Sequence, residues 1–386
     1  RIYQSGIPRR ECFRSSRQEI LQGLAKTGSI ITPFRTGRPS EEGKGNLPPV
    51  IVKSLVQLSG GVGLFGRAIV AFLPFAPRFV IGWVAKRYMA GETLEQALHL
   101  MTKLSSENAC FTVDVLGEEI NSIEESSWFI DEYERVLDSI AKSGIDANIS
   151  IKPTALGLLI DRKSAYENIE RIVRKASENG IFVRLDMEDS RATQATIDAT
   201  LDMQARGLEN IGLVLQGRMF RTPSDISQIC ETLGPTADFR ICKGIYLEPP
   251  EIAHTSYQDI VAGTNNAIDM MLESGAYTAI ASHDLPVIDH ALKSLESRGL
   301  GPGKEDSRNA TPVSRAQGKG PGYEFQFLLG VRGDVRRSLA EMGHRTRIYL
   351  PYGTKWYEYG MRRLRENPDV AVHVTKSLFF PWTNRR

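Results

Sequence analysis

Residues 148–189 read NISIKPTALGLLIDRKSAYENIERIVRKASENGIFVRLDMED, and their rhythm decides the fold. Asn148–Ile151 is a short β-branched run of strand length. Ala165–Ser177 follows with Ile169, Ile172 and Val173 on one helical face, and Phe182–Leu185 is a second strand-length run. Gly180 sits where the helix should stop, as Gly144 and Gly275 do for others. A strand, an amphipathic helix and another strand in some forty residues imply parallel pairing through a crossover.

The same unit repeats outward in both directions. Phe111–Leu116, Gly212–Leu215, Phe239–Cys242, Thr278–Ala281, Phe325–Leu328 and Thr346–Leu350 complete eight apolar runs, with helical stretches between them. Eight such units in about 275 residues predict a closed (β/α)8 barrel of the TIM type. A doubly wound open sheet is the rival. Its Gly-rich phosphate turn is missing after Val115.

Composition fits an ordinary globular chain and narrows its partners. The hydrophobic fraction is 41% and the charged fraction 24%; Lys+Arg 48 against Asp+Glu 46 leaves a net charge of +2. That balance argues against nucleic acid as the main partner. The four cysteines form no CxxC pair and suit a reducing compartment. Six scattered histidines disfavour a metal centre.

The first ninety residues differ from the rest. Residues 1–60 are expected to be a poorly ordered basic leader, because their composition cannot bury much surface. Residues 61–107 should be N-terminal helices and 108–386 the barrel. Within 62–89, Phe65, Ile69, Phe72, Phe79 and Trp83 interleave with Arg67, Arg78, Lys86 and Arg87. Pro74 and Pro77 divide that segment into two short helices. An apolar face with basic edges suits either peripheral contact with a membrane surface or packing on the barrel. No run of 18 apolar residues predicts a span. The Gly/Lys/Ser-rich stretch 298–322 is an insertion before the seventh strand, by default a surface loop.

Barrel active sites form at the C-terminal ends of the strands, and polar residues gather there. Lys152 ends the second strand, Asp186 with Glu188 and Asp189 the third, and Gln216 the fourth. Lys243 ends the fifth behind Arg240, Ser282-His283-Asp284 end the sixth, and Tyr349 lies on the eighth. Any single one can merely cap the following helix; six strands doing so together point to a site. Ser282, His283 and Asp284 are chain neighbours whose side chains alternate faces, so they are no triad. Arg362 and Arg363, with Tyr359 one turn earlier, suit a small carboxylate gripped by charge-assisted hydrogen bonds. The competing reading is a solvated helix face. A Schiff-base barrel lyase would instead use Lys152 or Lys243 as nucleophile.

Seven motifs in order carry a resemblance: Ser150–Leu156 (SIKPTAL), Arg184–Asp189 (RLDMED), Leu213–Gln216 (LVLQ), Arg240–Tyr246 (RICKGIY), Tyr323–Gln326 (YEFQ), Arg347–Gly353 (RIYLPYG) and Tyr359–Arg363 (YGMRR). From about Tyr88 to Phe380 the chain resembles the proline dehydrogenase family in its bacterial, monofunctional form. The resemblance implies an FAD enzyme that oxidises L-proline to Δ1-pyrroline-5-carboxylate. Electrons would pass to a membrane quinone, with pyrroline-5-carboxylate dehydrogenase as the downstream functional partner. The cysteine pattern leads us to expect a cytoplasmic protein, and the 62–89 segment, where it meets a membrane, a peripheral one on the inner face of the cytoplasmic membrane.

The resemblance assigns roles residue by residue. Arg362 and Arg363 would clamp the proline carboxylate with Lys152, and Tyr246, Leu328 and Tyr359 would add substrate contacts. Asp186 would join the hydrogen-bond network of the site, and Tyr349 would wall the proline ring against hydroxylated substrates. Arg240 falls where the family has an arginine near flavin N5. Met187, Gln216, Lys243, Gly244, Ile245, Ser282 and His283 fall on FAD-contacting positions. Ser282 stands where threonine is usual, and Ile245 where a smaller residue is common. Glu118 or Glu119 would pair with Arg362 as a lid.

Overall fold

A computed structural model of the chain describes residue 82, residues 87–304, residue 306, residues 322–357 and residue 359. The eight expected runs are parallel strands: β1 Ala109–Val115, β2 Ala147–Ile151, β3 Val183–Leu185, β4 Ile211–Gln216, β5 Asp238–Cys242, β6 Tyr277–Ala281, β7 Tyr323–Leu328 and β8 Thr346–Tyr352. They pair in chain order, and β8 closes on β1 to make a barrel. The helices are α1 Leu94–Ser105, α2 Ser126–Ser143, α3 Arg162–Glu178, α4 Ser190–Ala205, α5 Thr222–Leu233, α6 Tyr257–Glu273, α7 Leu285–Ser297 and α8 Gly333–Glu341.

Local chemistry sets the helix ends. Thr93 and Gln96 form a capping box at the start of α1. Asp161 accepts from the amide of Lys163 at 3.1 Å to start α3, and Asp189 from that of Arg191 at 3.0 Å to start α4. Gly144 ends α2 at φ +65°, in the left-handed region. Leu94, Ala97 and Met101 of α1 share one buried cluster with Phe111, Val113 and Val115 of β1.

In-register neighbours on a sheet face the same side, so the pairing sorts every strand into two faces. One set runs around the barrel through Thr112–Asn148, Ser150–Arg184, Arg184–Gly212, Val214–Arg240, Ala279–Glu324, Gln326–Arg347 and Thr112–Tyr349. The alternate residues are apolar. Val113, Ile149, Val183 and Ile348 pack with α1 to α3, and Leu213, Phe239, Ile241, Ile280 and Phe325 pack with α5 to α8. The apolar layer therefore lies outside, under the helices, and the lumen is polar. Barrels of this type are usually filled by branched aliphatic side chains.

Two ion pairs fix the lower lumen. Arg184 Nη2 lies 2.5 Å from Asp238 Oδ1, and Arg347 Nε lies 2.7 Å from Glu324 Oε1. All four side chains are essentially fully buried. The expected leader, the basic-apolar segment at 62–81, most of the 298–322 insertion, and Arg362 and Arg363 lie outside the described residues. No helix among the described residues is long and apolar enough to cross a membrane.

Candidate active site

Above those pairs, at the C-terminal mouth, three residues singled out in the sequence meet directly. Asp186, one residue past β3, accepts from Arg240 Nη1 at 2.7 Å and Ser150 Oγ at 2.6 Å on one oxygen. Its other oxygen accepts from the Tyr349 hydroxyl at 2.7 Å. Burial alone would raise the Asp186 pKa, but the Arg240 and Lys152 cations and the two hydroxyl donors reverse that and hold it below the ordinary carboxylate value. Burial and the carboxylates of Asp114 and Asp186 push the Tyr349 phenol well above its usual value, so it stays a donor. The Arg240 guanidinium also lies over the Tyr349 ring, 5.2 Å from its centroid.

Lys152 stands at the end of β2 and donates to Asp114 Oδ1 at 2.5 Å. Burial pulls its pKa down, but Asp114, Asp186 and Glu118 outweigh it, and the ammonium is held above the ordinary lysine value. Asp114 is pushed up to about 6 by burial, against the opposing pull of Lys152. Asp114 escaped the sequence reading because it lies inside its strand rather than at the end, and its partner is 38 residues away.

The β4–β6 side is built differently. Lumen positions there include the small residues Gly212, Val214, Ala279 and Ala281 beside Asp238 and Arg240 of β5. Gln216 Nε2 donates to the Glu188 carbonyl at 2.8 Å, while Gln216 Oε1 is buried without a hydrogen-bond partner. Gly244 follows β5 at φ +94°, and a Cβ there would stand 2.4 Å from Gln216 Oε1 and 2.7 Å from Arg218 Cδ. Only glycine allows that close approach of Gln216 and Arg218. Lys243 Nζ pairs with Asp284 Oδ2 at 2.5 Å, and Arg218 donates to the Tyr246 carbonyl. An unpartnered amide oxygen and two nearby cations fit a large polar cofactor carrying phosphate.

The remaining expected residues occupy the same mouth with varied surroundings. His283 is half-buried; its Nε2 accepts from the Leu328 amide at 2.9 Å, and desolvation pushes its pKa down to about 4. It is therefore neutral near pH 7. Ser282 is buried, its Oγ accepting from the Asp284 amide at 3.2 Å. Met187 belongs to the apolar layer, whereas Ile245 is exposed. Tyr359 packs on Met89 and Leu116 beside Trp356.

Of the acidic cluster after β3, Asp186 alone points at Arg240. Asp189 caps α4 and binds Arg191, which also pairs with Glu119. Glu188 turns toward Thr154, accepting from its amide at 3.0 Å and its hydroxyl at 2.6 Å. Burial pushes Glu188 up to about 7. Gln326, Ser150, Glu324 and Arg218 were also missed. For the two β7 residues a signal existed, because Glu324 and Gln326 alternate with Tyr323, Phe325 and Phe327 at period two.

The comparisons with known proteins bear on the family and the barrel fold. The family model described as proline dehydrogenase matches residues 97–376. The proline dehydrogenase of Deinococcus radiodurans is 31% identical over 299 residues, covering 76% of this chain and 90% of that protein. Proline dehydrogenase 2 of Bacillus subtilis is 33% identical over 294 residues, with the same two coverages of 76% and 90%. Among solved structures, proline utilization A from Bdellovibrio bacteriovorus, inactivated by N-propargylglycine, superposes with a TM-score of 0.66 at 22% identity. It covers 78% of this chain and 34% of that one, and supports the barrel fold alone. With a model match over most of the barrel and two relatives spanned almost end to end, this chain belongs to the proline dehydrogenase family.

Proposed function

We propose that this chain oxidises L-proline to Δ1-pyrroline-5-carboxylate using FAD and passes the electrons to a membrane quinone. The observation that carries the reading is the buried Asp186–Arg240–Tyr349 constellation. It holds a guanidinium whose Nη2 is buried without a partner at the mouth of the barrel. FAD, when bound, supplies the hydride acceptor that no side chain here can be. Gln216, Lys243, Gly244, Met187, Ile245, Ser282 and His283 would hold it, the unpartnered Gln216 Oε1 being the feature that fits.

The protein's part is to bind, orient and set charge. Lys152 is a fixed ammonium for the proline carboxylate, supported by Arg362 and Arg363. Tyr349 is locked by Asp186 and presents a rigid ring edge to the substrate, with Tyr246, Leu328 and Tyr359 as further contacts. Arg240 would be a preorganised cation for the negative charge that develops on reduction, at no cost in reorganisation at that moment. Orientation of two reactants in such a mouth contributes several of the roughly 7–11 kcal/mol available from this source.

A Schiff-base lyase through Lys152 needs a neutral amine, and the carboxylates around Lys152 keep it protonated. The domain division proposed is a leader at 1–60, helices at 61–107 and the barrel at 108–386, with membrane contact through 62–89. The deciding test is an anaerobic absorbance scan of the purified yellow protein with and without L-proline. Bleaching of the flavin band by proline is expected. A flavin that stays oxidised, or a colourless protein that forms a borohydride-trapped adduct, overturns the reading.

A further inference from the structure

Arg240 has a second anchor, on the side away from Asp186. Its Nε donates to Gln326 Oε1 at 2.6 Å. Gln326 Nε2 donates to Glu324 Oε1 at 2.5 Å, and that same oxygen accepts from Arg347 Nε at 2.7 Å. Arg347 is held in turn by the Phe111 carbonyl at 2.6 Å from Nη1. Gln326 is 3% exposed, and Glu324 and Arg347 are fully buried.

This arrangement fixes which way the Gln326 amide points. Turned over, it would set its NH2 against the Arg240 N–H and its carbonyl against the Glu324 carboxylate, two repulsive contacts in a low dielectric. The acceptor character of Glu324 is thereby passed through one amide to Arg240. A guanidinium is planar, so bonds at Nε and Nη1 determine its plane. With Nε on Gln326 and Nη1 on Asp186 and Ser150, Nη2 is left over, buried and without a partner.

We propose that Gln326, oriented by Glu324, is a positioning residue that sets the plane of the Arg240 guanidinium and aims its free N–H at the bound flavin. The inference rests on the FAD reading above. Gln326 touches neither substrate nor flavin in this account and acts only through Arg240. A methionine at 326 fills nearly the same volume but removes both hydrogen bonds. A glutamate keeps the acceptor for Arg240 only while it shares a proton with Glu324, since two adjacent buried carboxylates cannot both ionise.

The test uses the full-length holoenzyme carrying Gln326→Met or Gln326→Glu. Flavin content, flavin reduction potential, the anaerobic rate of reduction by proline, KM and the pH–rate profile are measured for each. Gln326→Met is expected to retain FAD and keep KM for proline within about threefold, while lowering the rate of flavin reduction about tenfold, a loss typical of small misplacements. Its flavin potential should shift to more negative values. Gln326→Glu should recover toward the unaltered rate at low pH and lose it as pH rises, a limb the unaltered protein lacks. An unchanged potential, or a rate loss fully matched by lost flavin or lost thermal stability, overturns the proposal. If proline leaves the flavin of the unaltered protein oxidised, the parent reading falls, and the potential of Gln326→Met still decides this one.

Discussion

Along β1 the side chains of Phe111 and Val113 enter a dry layer beneath the helices, while those of Thr112 and Asp114 enter a lumen of charges and hydroxyls. The same division runs along β5 between Phe239 and Ile241 on one face and Asp238 and Arg240 on the other. The outer face obeys area and volume. Each buried aliphatic side chain contributes about 1.5–3 kcal/mol, and its exact neighbours matter less than its fit. The inner face obeys pairing. Desolvating two charges about cancels their attraction, so the pairs add little stability while making any broken pair costly. The lumen thus holds fixed charges in fixed places, which a reaction centre needs and a core does not.

The comparison breaks most visibly at Glu324. Glu324→Ala leaves Arg347 buried with no carboxylate against it and should cost about 3–5 kcal/mol in a denaturant titration. Replacing both partners together, Glu324→Leu with Arg347→Leu, should return most of that loss, because an apolar pair needs no partner. A double variant as unstable as the single one would show that these charges stabilise the barrel outright.

Arg240 is the next largest effect, and it falls on rate. Arg240→Met should slow proline-driven flavin reduction by about 10²–10³-fold, the usual cost of one preorganised donor at a developing charge. The fold should suffer less than with Glu324→Ala, because Asp186 keeps the Tyr349 and Ser150 hydroxyls and the nearby Lys152 cation. Stopped-flow reduction beside a thermal melt separates the two losses.

A pH experiment sharpens the contrast between paired and unpaired carboxyls. Burial lifts Glu188 to about 7, with hydrogen bonds only from Thr154 close at hand. The folded protein therefore binds a proton more tightly than the unfolded chain. Stability should fall as pH rises from about 4.5 to about 7 and level off above, an effect of up to about 3 kcal/mol. Glu188→Gln fits the same Thr154 bonds and should lose the part of that slope between about 6 and 7, whereas Asp114, lifted to about 6, adds a slope of its own below that. If the upper part survives, another group is responsible.

Much of this was legible along the chain, and the boundary is physical. Strand positions were readable because apolar outer-face residues recur on every strand, and Gly144, Gly180 and Gly275 mark helix ends at positive φ. Asp186, Arg240 and Tyr349 were readable as polar residues closing strands. Their hydrogen bonds to one another were not, because residues 54 and 163 positions apart meet only when the barrel closes. Asp114, Glu324 and Gln326 lie inside their strands rather than at the ends, so a reading of strand ends passed over them although the β7 pair alternates at period two. Glu188 and Asp189 looked equivalent to Asp186, yet one turns to Thr154 and the other caps α4.

The smallest effect is the sharpest test of the two-face division. Ile241 is fully buried in the outer layer and is the chain neighbour of Arg240. Ile241→Val removes one methylene from a site packed against helices, which should cost about 0.5–1.5 kcal/mol. Flavin reduction and KM for proline should stay within error of the unaltered protein, since the lumen positions of Arg240, Gln326 and Asp186 are set by hydrogen bonds the substitution leaves intact. A stability loss with unaltered kinetics would mean that one strand carries two independent ledgers on its two faces. A kinetic loss from this position would mean that the outer packing transmits to the guanidinium, and that aiming Arg240 is the work of the whole strand.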